Sequence, residues 1–303
     1  MSWEQEFESS PDFSGQILTQ EPLSKYTWYR IGGPARLFIT PKTRQDLHWI
    51  AHRIAKTHVP HFILGAGSNL LANDSGFDGV VIRANRFLTE IDSDAPTHVR
   101  TGGGAMLSSL LRQAAQEGWG GLEFLAGIPG TVGGAVRMNA GTHLGETASR
   151  LRGVKAVDLA TGRDLAYSGD ELRFSYRSNG FLPLSALVTS ADWEVTPSDP
   201  GAVKLILDET LARRKATQPI DQPSCGSVFK NPHETGLSAW QVVDKLGLRG
   251  HRIGDAQISE KHSNFIVNQG AASASEVRTL IELVQKRSKD ELGIKMETEV
   301  IFI

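Results

Sequence analysis

Cysteine, long apolar runs and an excess of charge of either sign are scarce in this sequence. Cys225 is the single cysteine, which excludes an internal disulfide and a cysteine-based metal cluster. No apolar run approaches the roughly 20 residues of a membrane span. Basic residues number 32 against 34 acidic ones, so we expect neither a nucleic acid nor an anionic membrane as a partner. The acidic N-terminus lacks the pattern of a secretory signal, and we expect a cytoplasmic protein without a metal.

Short strand patterns alternate with amphipathic helix patterns. Strands bounded by Gly, Pro or Asn are predicted at residues 37–40, 61–64, 80–83 and 186–189. A helix is predicted over residues 106–117, ahead of a Gly118 C-cap, and another from the Ser273 capping box to about Gly293. Apolar residues alternate over 296–302, which suggests a strand. These patterns predict an α+β protein, and its length of 303 residues suits more than one domain.

Glycine is concentrated, because 12 of the 31 glycines fall between residues 101 and 145. A separate loop, Gly65-Ala66-Gly67-Ser68-Asn69, follows a predicted strand, and its glycines allow successive N–H groups to form an anion nest. Leu70 stands where a Rossmann fingerprint needs its third glycine, and the Gly-Lys-Ser/Thr ending of a P-loop is absent. The loop indicates a diphosphate bound in neither common way, with an ordinary strand-exit turn as the alternative.

Six motifs in order carry a specific resemblance. They are RIGGPA at 30–35, GAGSNLL at 65–71, GLEFLAGIPGTVGGAVRMNAG at 121–141, RFSYRSN at 173–179, PSCGSVFKNP at 223–232 and RIGDAQISEKHSNFIVN at 252–268. Together they resemble the UDP-N-acetylenolpyruvoylglucosamine reductases over nearly everything after about residue 20. The segment between Arg177 and Pro223 is compact, which resembles the shorter, type II-like branch of that family.

The resemblance implies a noncovalent FAD in the fold of the vanillyl-alcohol-oxidase/PCMH type, with a separate C-terminal substrate-binding α+β domain. We expect a flexible extension over 1–20, FAD-binding subdomains over 21–85 (with 294–303) and 86–211, and a substrate-binding domain over 212–293. The residues implied to bind FAD are Gly65, Gly67, Ser68, Asn69, Gly130, Gly133 and Gly134.

The implied reaction is reduction of an enolpyruvyl ether by NADPH electrons, giving UDP-N-acetylmuramate for peptidoglycan precursors. Arg177 matches the family arginine that binds the developing enolate, and a guanidinium suits a carboxylate because it can bind it through two parallel hydrogen bonds. Ser227 matches the family's proton donor. The Glu-Val pattern favours Glu299 as the third catalytic residue, while Glu297 remains an alternative because a strand would place both on one face.

The resemblance also implies substrate contacts from Asn231 and Arg249, the latter at the diphosphate. The alternative for Arg249, and for the nearby Arg252 and Lys261, is that they belong to a solvated basic surface without a ligand. Cys225 is interpreted as a packed small residue, without a catalytic role. The UDP-sugar is the expected partner of a monomeric enzyme, and no motif locates the NADPH site.

One segment departs from the family pattern, because His143 and Leu144 stand where Tyr and Gly are usual. Two rival interpretations remain open. The first is another FAD oxidoreductase of the same fold. The second is a non-catalytic nucleotide-sugar-binding protein, which loss of a catalytic position would have favoured.

Overall fold

The computed structural model describes residues 3–8 and 10–303, which form two compact units. The first unit comprises the described part of Met1–Gln20, with Arg36–Ala66 and Asp78–Ala212. The second comprises Glu21–Ala35, Gly67–Phe77 and Arg213–Ile303. The finer division into four segments stays a prediction.

The α-helices within these residues are α1 (Arg44–Thr57), α2 (Leu107–Glu117), α3 (Val132–Met138), α4 (Thr147–Arg150), α5 (Pro200–Thr217), α6 (Ala239–Lys245) and α7 (Ala274–Leu292). The strands are β1 (Gln16–Pro22), β2 (Pro34–Thr40), β3 (His61–Leu64), β4 (Leu70–Leu71), β5 (Phe77–Arg83), β6 (Ile91–Ala95), β7 (His98–Gly102), β8 (Trp119–Gly120), β9 (Gly141–Thr142), β10 (Gly145–Glu146), β11 (Leu151–Asp158), β12 (Arg163–Ser168), β13 (Phe174–Ser175), β14 (Ser178–Asn179), β15 (Ala186–Glu194), β16 (Thr196–Pro197), β17 (Arg252–Ile253), β18 (Ala256–Ile258), β19 (Ile266–Asn268) and β20 (Ile301–Phe302). Single 3₁₀ turns lie at Trp3–Phe7, Leu23–Lys25, Glu123–Leu125, Gly169–Glu171 and His233–Thr235. Across these helices, none is both long and apolar enough to cross a membrane.

One sheet of the first unit has the strand order β1-β2-β5-β3, and β3 runs parallel to β5. Val80, Val81 and Ile82 of β5 are all buried, as expected of an interior strand that is covered on both faces. Helix α1 packs into the same core through Leu47, Ile50 and other apolar residues of one face.

The other sheet of the first unit is antiparallel, with the order β12-β11-β15-β7-β6. Its core includes apolar residues of α2 and α3 and the fully buried Trp193 of β15. The indole of Trp193 donates to Thr101 Oγ1 at 2.9 Å, so its buried N–H is satisfied. This sheet and its two helices support the glycine-rich region.

The second unit is built around the antiparallel sheet β17-β18-β19, and α6 and α7 contribute to its core. Helix α7 begins at the predicted capping box of Ser273 and Glu276 and ends at Gly293, whose φ is 69°. The predicted helix at 106–117 and the four predicted strands are likewise present.

Two local expectations differ from the structure. Of the predicted strand over 296–302, only Ile301–Phe302 forms a regular strand. The preceding residues pair with the short segment 228–230, where Thr298 makes an isolated bridge with Phe229. In the expected flexible extension, Phe7 is buried and contacts the Trp49 ring with centroids 6.1 Å apart. The described residues at this end of the chain therefore pack against the first unit.

Asp46, in the first turn of α1, allows a test of how the first unit is held together. Its fully buried carboxylate accepts hydrogen bonds from Ser14 N at 2.7 Å, Ser14 Oγ at 2.9 Å, Lys42 N at 2.8 Å and Thr43 N at 3.0 Å. Burial alone would raise the pKa of Asp46, but these bonds hold it below the ordinary value. A depressed carboxyl pKa contributes stability above the ordinary pKa, and that stability is lost as the pH falls through the folded-state value.

We therefore expect Asp46→Asn to destabilise the protein at pH 7 by about 1–3 kcal/mol, since an amide cannot accept all four bonds. The difference from wild type should shrink as the pH falls below about 4, because the carboxyl of the unfolded wild type is protonated first and that of the folded protein follows at lower pH. Urea unfolding over a pH series measures this, with the exposed Asp290→Asn as the control. A difference that is the same at pH 3 and pH 7 would contradict the account.

Candidate active site

Residues 127–135 of the first unit form a second glycine loop. It is organised by Thr131, the buried N-cap of α3. Thr131 Oγ1 accepts a hydrogen bond from Gly134 N at 3.2 Å. A Cβ added to Gly65 would lie 2.7 Å from the same oxygen, so the exit of β3 and the start of α3 are adjacent. Gly130 O and Gly133 N are fixed by Leu107 N and Gly103 O at 3.0 and 2.8 Å. The structure thus brings Gly65 together with the loop of Gly130, Gly133 and Gly134.

Gly134 leaves backbone open on this surface. It is exposed, and among the described residues a Cβ there would meet only Thr131 Oγ1, at 3.4 Å, within 4 Å. Gly133 is half-buried, and a Cβ there would lie 3.0 Å from Gly103 O. Packing accounts for Gly65 and Gly133, whereas Gly134 leaves space for a ligand to approach the chain closely. The loop therefore fits a cofactor such as FAD that is held largely by backbone.

The rest of the first glycine loop, Gly67 to Asn69, lies in the second unit. Gly67 has φ +67°, and a Cβ there would lie 2.0 Å from Tyr26 O, so its own packing requires glycine. Asn69 Nδ2 donates to Glu299 O at 3.0 Å, and Ile301 N donates to Asn69 O at 3.0 Å. Asn69 is therefore joined to the segment that carries Glu299. FAD contacts from Gly67, Ser68 and Asn69 stay predictions.

Arg177 occupies the tip of the hairpin formed by β13 and β14 in the first unit. Its φ of +54° is unusual for a long side chain and favours a functional site. Arg177 Nη2 donates to Gly141 O at 3.1 Å, and the guanidinium lies 5.1 Å from the centre of the Tyr176 ring. The arginine is thus linked to the turn that follows α3.

Ser227 is half-buried in the second unit, between residues that are firmly held. Cys225 and Val228 are 3% and 0% exposed, which confirms Cys225 as a packed residue. Gly226 between them has φ +80°, a conformation that glycine adopts without strain. Val228 N donates to Asn264 O at 2.8 Å, which holds the main chain after Ser227. Burial raises the pKa of the Cys225 thiol to about 12, so this thiol does not ionise near neutrality.

Glu299 is brought to the Ser227 segment by backbone pairing. Glu299 N donates to Val228 O at 2.8 Å, and Lys230 N donates to Glu297 O at 2.9 Å. The Glu297 side chain is 58% exposed and lies 3.5 Å from Lys295 Nζ, whereas Glu299 is half-buried. This difference favours Glu299 over Glu297 in a site that excludes water.

The two predicted substrate contacts have structural partners. Asn231 Oδ1 accepts from Ala239 N at 2.9 Å, at the start of α6. Arg249 donates to both carboxylate oxygens of Asp244, at 3.0 and 2.5 Å, and to Glu260 O at 2.6 Å. Its guanidinium is therefore already engaged by an acid and a carbonyl. The substrate roles of both residues stay predictions.

A group to which the sequence analysis assigned no role lies in the second unit, where α5 ends. Arg214 Nε, Gln218 Oε1 and His262 Nδ1 are buried atoms without a hydrogen-bond partner among residues 3–8 and 10–303. Lys261 Nζ donates to Lys215 O at 2.5 Å, which places the start of the 261–262 turn beside the helix. Burial lowers the pKa of Arg214, and burial with nearby Arg249 lowers the pKa of His262. Missing partners are visible only in three dimensions, so the sequence did not bring these three residues together.

The departures at His143 and Leu144 lie in the turn between β9 and β10, where both side chains are exposed. Thr142 Oγ1 donates to Phe124 O at 3.1 Å and accepts from Leu144 N at 3.3 Å. The turn is therefore closed by local hydrogen bonds that do not need the usual Tyr and Gly.

Comparison with known proteins matches both parts of the chain. Residues 218–303 match the family model for the UDP-N-acetylenolpyruvoylglucosamine reductase C-terminal domain, and residues 35–166 match an FAD binding domain. The reductase of Rhodopseudomonas palustris (strain HaA2) is 44% identical over 96% of this chain and 92% of its own length. The reductase of Heliobacterium modesticaldum is 42% identical over 95% and 91%.

The crystal structure of the reductase from Thermus caldophilus superimposes with a TM-score of 0.79 at 36% identity, covering 95% of this chain and 98% of that one. These matches establish the α+β fold as the FAD-binding fold of the vanillyl-alcohol-oxidase/PCMH type with a C-terminal substrate-binding domain. FAD is the cofactor, NADPH the reductant and a UDP-sugar the substrate. The chain belongs to the UDP-N-acetylenolpyruvoylglucosamine reductase family, the FAD-containing oxidoreductases that reduce this enolpyruvyl UDP-sugar for peptidoglycan synthesis.

Proposed function

We propose that Ser227 protonates the α-carbon of the enolpyruvyl group while Arg177 and Glu299 stabilise the enolate that precedes protonation. The observation that carries the proposal is the setting of Ser227, a half-buried hydroxyl between buried neighbours in a segment paired with Glu299. A fixed hydroxyl can be aimed at a single carbon, which protonation on one face requires.

The reaction sets three requirements. Hydride adds to the β-carbon, negative charge spreads onto the carboxylate, and a proton then adds to the α-carbon. Bound FAD supplies the hydride. The protein must hold the developing charge and provide the proton in a site with little water.

Arg177 is proposed to hold the substrate carboxylate. Its positive φ is a strained conformation, and strained residues persist where the surrounding structure fixes them. The Nη2 bond to Gly141 O sets the direction of the side chain. A planar guanidinium held in this way can bind the carboxylate through two parallel hydrogen bonds and stabilise the enolate electrostatically.

Glu299 is proposed to act beside the intermediate as a protonated carboxyl or by orienting a water molecule. A bare carboxylate would repel the enolate, because like charges in contact oppose each other. The backbone bonds of Glu299 to Val228 and Asn69 fix its main chain on both sides. Its side chain can therefore be directed without a regular strand.

We further propose that Arg214, with Gln218 and His262, contacts the anionic part of the UDP-sugar alongside Asn231 and Arg249. A buried guanidinium N–H without a partner is costly, and a phosphate oxygen would satisfy it. Arg249 already binds Asp244, so Arg214 has the greater capacity for a new anion. The neutral form of His262, which its lowered pKa favours, offers one donor and one acceptor.

A monomeric enzyme in the cytoplasm completes the proposal. The single cysteine is buried, which suits a reducing compartment, and NADPH is the reductant of the reaction.

Replacing Gly134 by Ala should have opposite effects on the helix and on the cofactor. Alanine is favoured over glycine within a helix by about 1 kcal/mol, so the apoprotein should gain stability. A methyl group facing a ligand on this open surface should cost about 1–3 kcal/mol of FAD binding, roughly 5- to 150-fold in Kd. Flavin fluorescence titration measures the affinity, with Gly201→Ala in the first turn of α5 as the control. Unchanged FAD affinity would place the cofactor elsewhere.

Ser227→Ala should separate the two half-reactions. Flavin reduction by NADPH should stay within about twofold of wild type, while reoxidation by the enolpyruvyl UDP-sugar should slow by about 100-fold or more, because a positioned acid contributes this much. Stopped-flow absorbance of the flavin measures both steps. Equal loss in both half-reactions would overturn the assignment of Ser227 as proton donor.

Arg214→Gln should weaken binding of UDP to the FAD-loaded enzyme by about 10- to 100-fold, since a charge-assisted hydrogen bond contributes about 1.5–3 kcal/mol. Arg249→Gln is the comparison, and we expect it to weaken UDP binding less than Arg214→Gln does and also to lower the stability, because it removes the pair with Asp244. Calorimetric titration with UDP and thermal unfolding distinguish these effects. A large affinity loss in the Arg249 variant, with the Arg214 variant unaffected, would reverse the assignment.

A further inference from the structure

The hairpin that carries Arg177 is joined to helix α3 by a reciprocal pair of amide hydrogen bonds. Asn139, the C-cap residue of α3, donates from Nδ2 to Ser175 O of β13 at 3.0 Å. Asn179 of β14 donates from Nδ2 to Arg137 O in the last turn of α3 at 2.7 Å. We call Asn139 and Asn179 the amide clasp. Each side of the clasp satisfies a carbonyl that the other side presents.

Asn139 is suited to its position by both its backbone and its side chain. It is fully buried and has φ 44°, a left-handed conformation that asparagine tolerates better than most residues. Its Oδ1 accepts from Ala148 N at 3.0 Å, so both ends of the amide are used. An aspartate could keep the backbone conformation and the acceptor, but it would lose the donor to Ser175 O.

Asn179 forms a second such junction on the other strand. Its Oδ1 accepts from Leu182 N at 3.0 Å, and Leu182 O in turn accepts from Arg137 Nη1 at 3.2 Å. Arg137 Nη2 also donates to Ala186 O at 2.7 Å. Both the chain that enters the hairpin and the chain that leaves it are therefore hydrogen-bonded to α3.

The hairpin needs this support. Its ladder consists of two residue pairs, Phe174 with Asn179 and Ser175 with Ser178, and a ladder this short is not stable alone. The positive φ of Arg177 adds a further unfavourable contribution. External bonds must therefore fix the direction of the tip.

We propose that the amide clasp positions Arg177 for the substrate carboxylate. Asn139 and Asn179 are positioning residues for the known reaction, acting through Arg177 without contacting the substrate. Helix α3 starts at the glycine loop that fits FAD, so the same short helix sets both the cofactor loop and the arginine. The inference rests on the proposed role of Arg177.

The test uses Asn139→Asp and Asn179→Asp in the FAD-loaded enzyme, because each change removes the donor and keeps the acceptor. We expect unchanged flavin content, flavin reduction by NADPH within about twofold of wild type, and reoxidation by the enolpyruvyl UDP-sugar slowed by about 10- to 100-fold, the effect of a small displacement of a catalytic group. Asn85→Asp, whose side chain accepts from Arg83 Nε in the same unit, is the matched control and should behave as wild type.

A double-variant comparison separates positioning from general damage. In an Arg177→Lys background, which we expect to slow reoxidation by itself, Asn139→Asp should add little, because the group that it positions has already been changed. Full additivity of the two effects would overturn the inference. If Asn139→Asp does not fold, Asn179→Ala in the same two backgrounds supplies the same comparison.

The outcomes also separate this inference from the proposed function. Normal reoxidation in Arg177→Lys would refute the role of Arg177 itself. Slow reoxidation in Arg177→Lys, together with normal reoxidation in both clasp variants, would refute the clasp alone.

Discussion

In the first unit, Gly65 and the second glycine loop, which fits FAD, depend on the contacts of one group, the hydroxyl of Thr131. It caps α3 through Gly134 N and fills the space beside Gly65 that a side chain would occupy. Gly65 must lack a side chain for this packing to form, because a Cβ there would lie 2.7 Å from that oxygen. Because the cap fixes the first turn of α3, it also fixes the direction in which the helix runs towards Asn139 and the Arg177 hairpin.

In the second unit, hydrogen bonds bring residues from distant parts of the sequence next to one another. Asn264 accepts from Phe229 N with Oδ1 and donates to Phe229 O with Nδ2, both at 2.9 Å, so one buried side chain replaces a missing strand. Glu299 then pairs with Val228 through the main chain. Irregular backbone whose polar groups are paired in this way is rigid enough to direct Ser227 and Glu299.

The local elements were predictable because their signals are local. The apolar period and the glycine after residue 117 predicted α2, and the Ser273 capping box predicted the start of α7. The resemblance of ordered motifs predicted the family, which the comparisons confirm. The adjacency of Gly65 and the second glycine loop has no local signal, since the Thr131 contact joins residues 66 positions apart in the sequence.

The parts that escaped prediction depend on partners distant in space. The partners of Arg249 were not predicted, since Asp244 and a carbonyl bind its guanidinium. Its contact with the substrate diphosphate stays a prediction. Arg214 lies in none of the motifs, and it carries a buried N–H without a partner in the described chain. The strand over 296–302 was expected to be regular, whereas only a two-residue strand and one bridge form, because its pairing partner is short.

The central claim is that bound FAD links NADPH to the enolpyruvyl UDP-sugar within this chain. The most direct measurement reduces the FAD-loaded protein with one equivalent of NADPH under anaerobic conditions and then adds the enolpyruvyl UDP-sugar. We predict full return of oxidised-flavin absorbance with UDP-N-acetylmuramate as the product, and no return with UDP-N-acetylglucosamine. Flavin that remains reduced after the enolpyruvyl substrate is added would contradict the account.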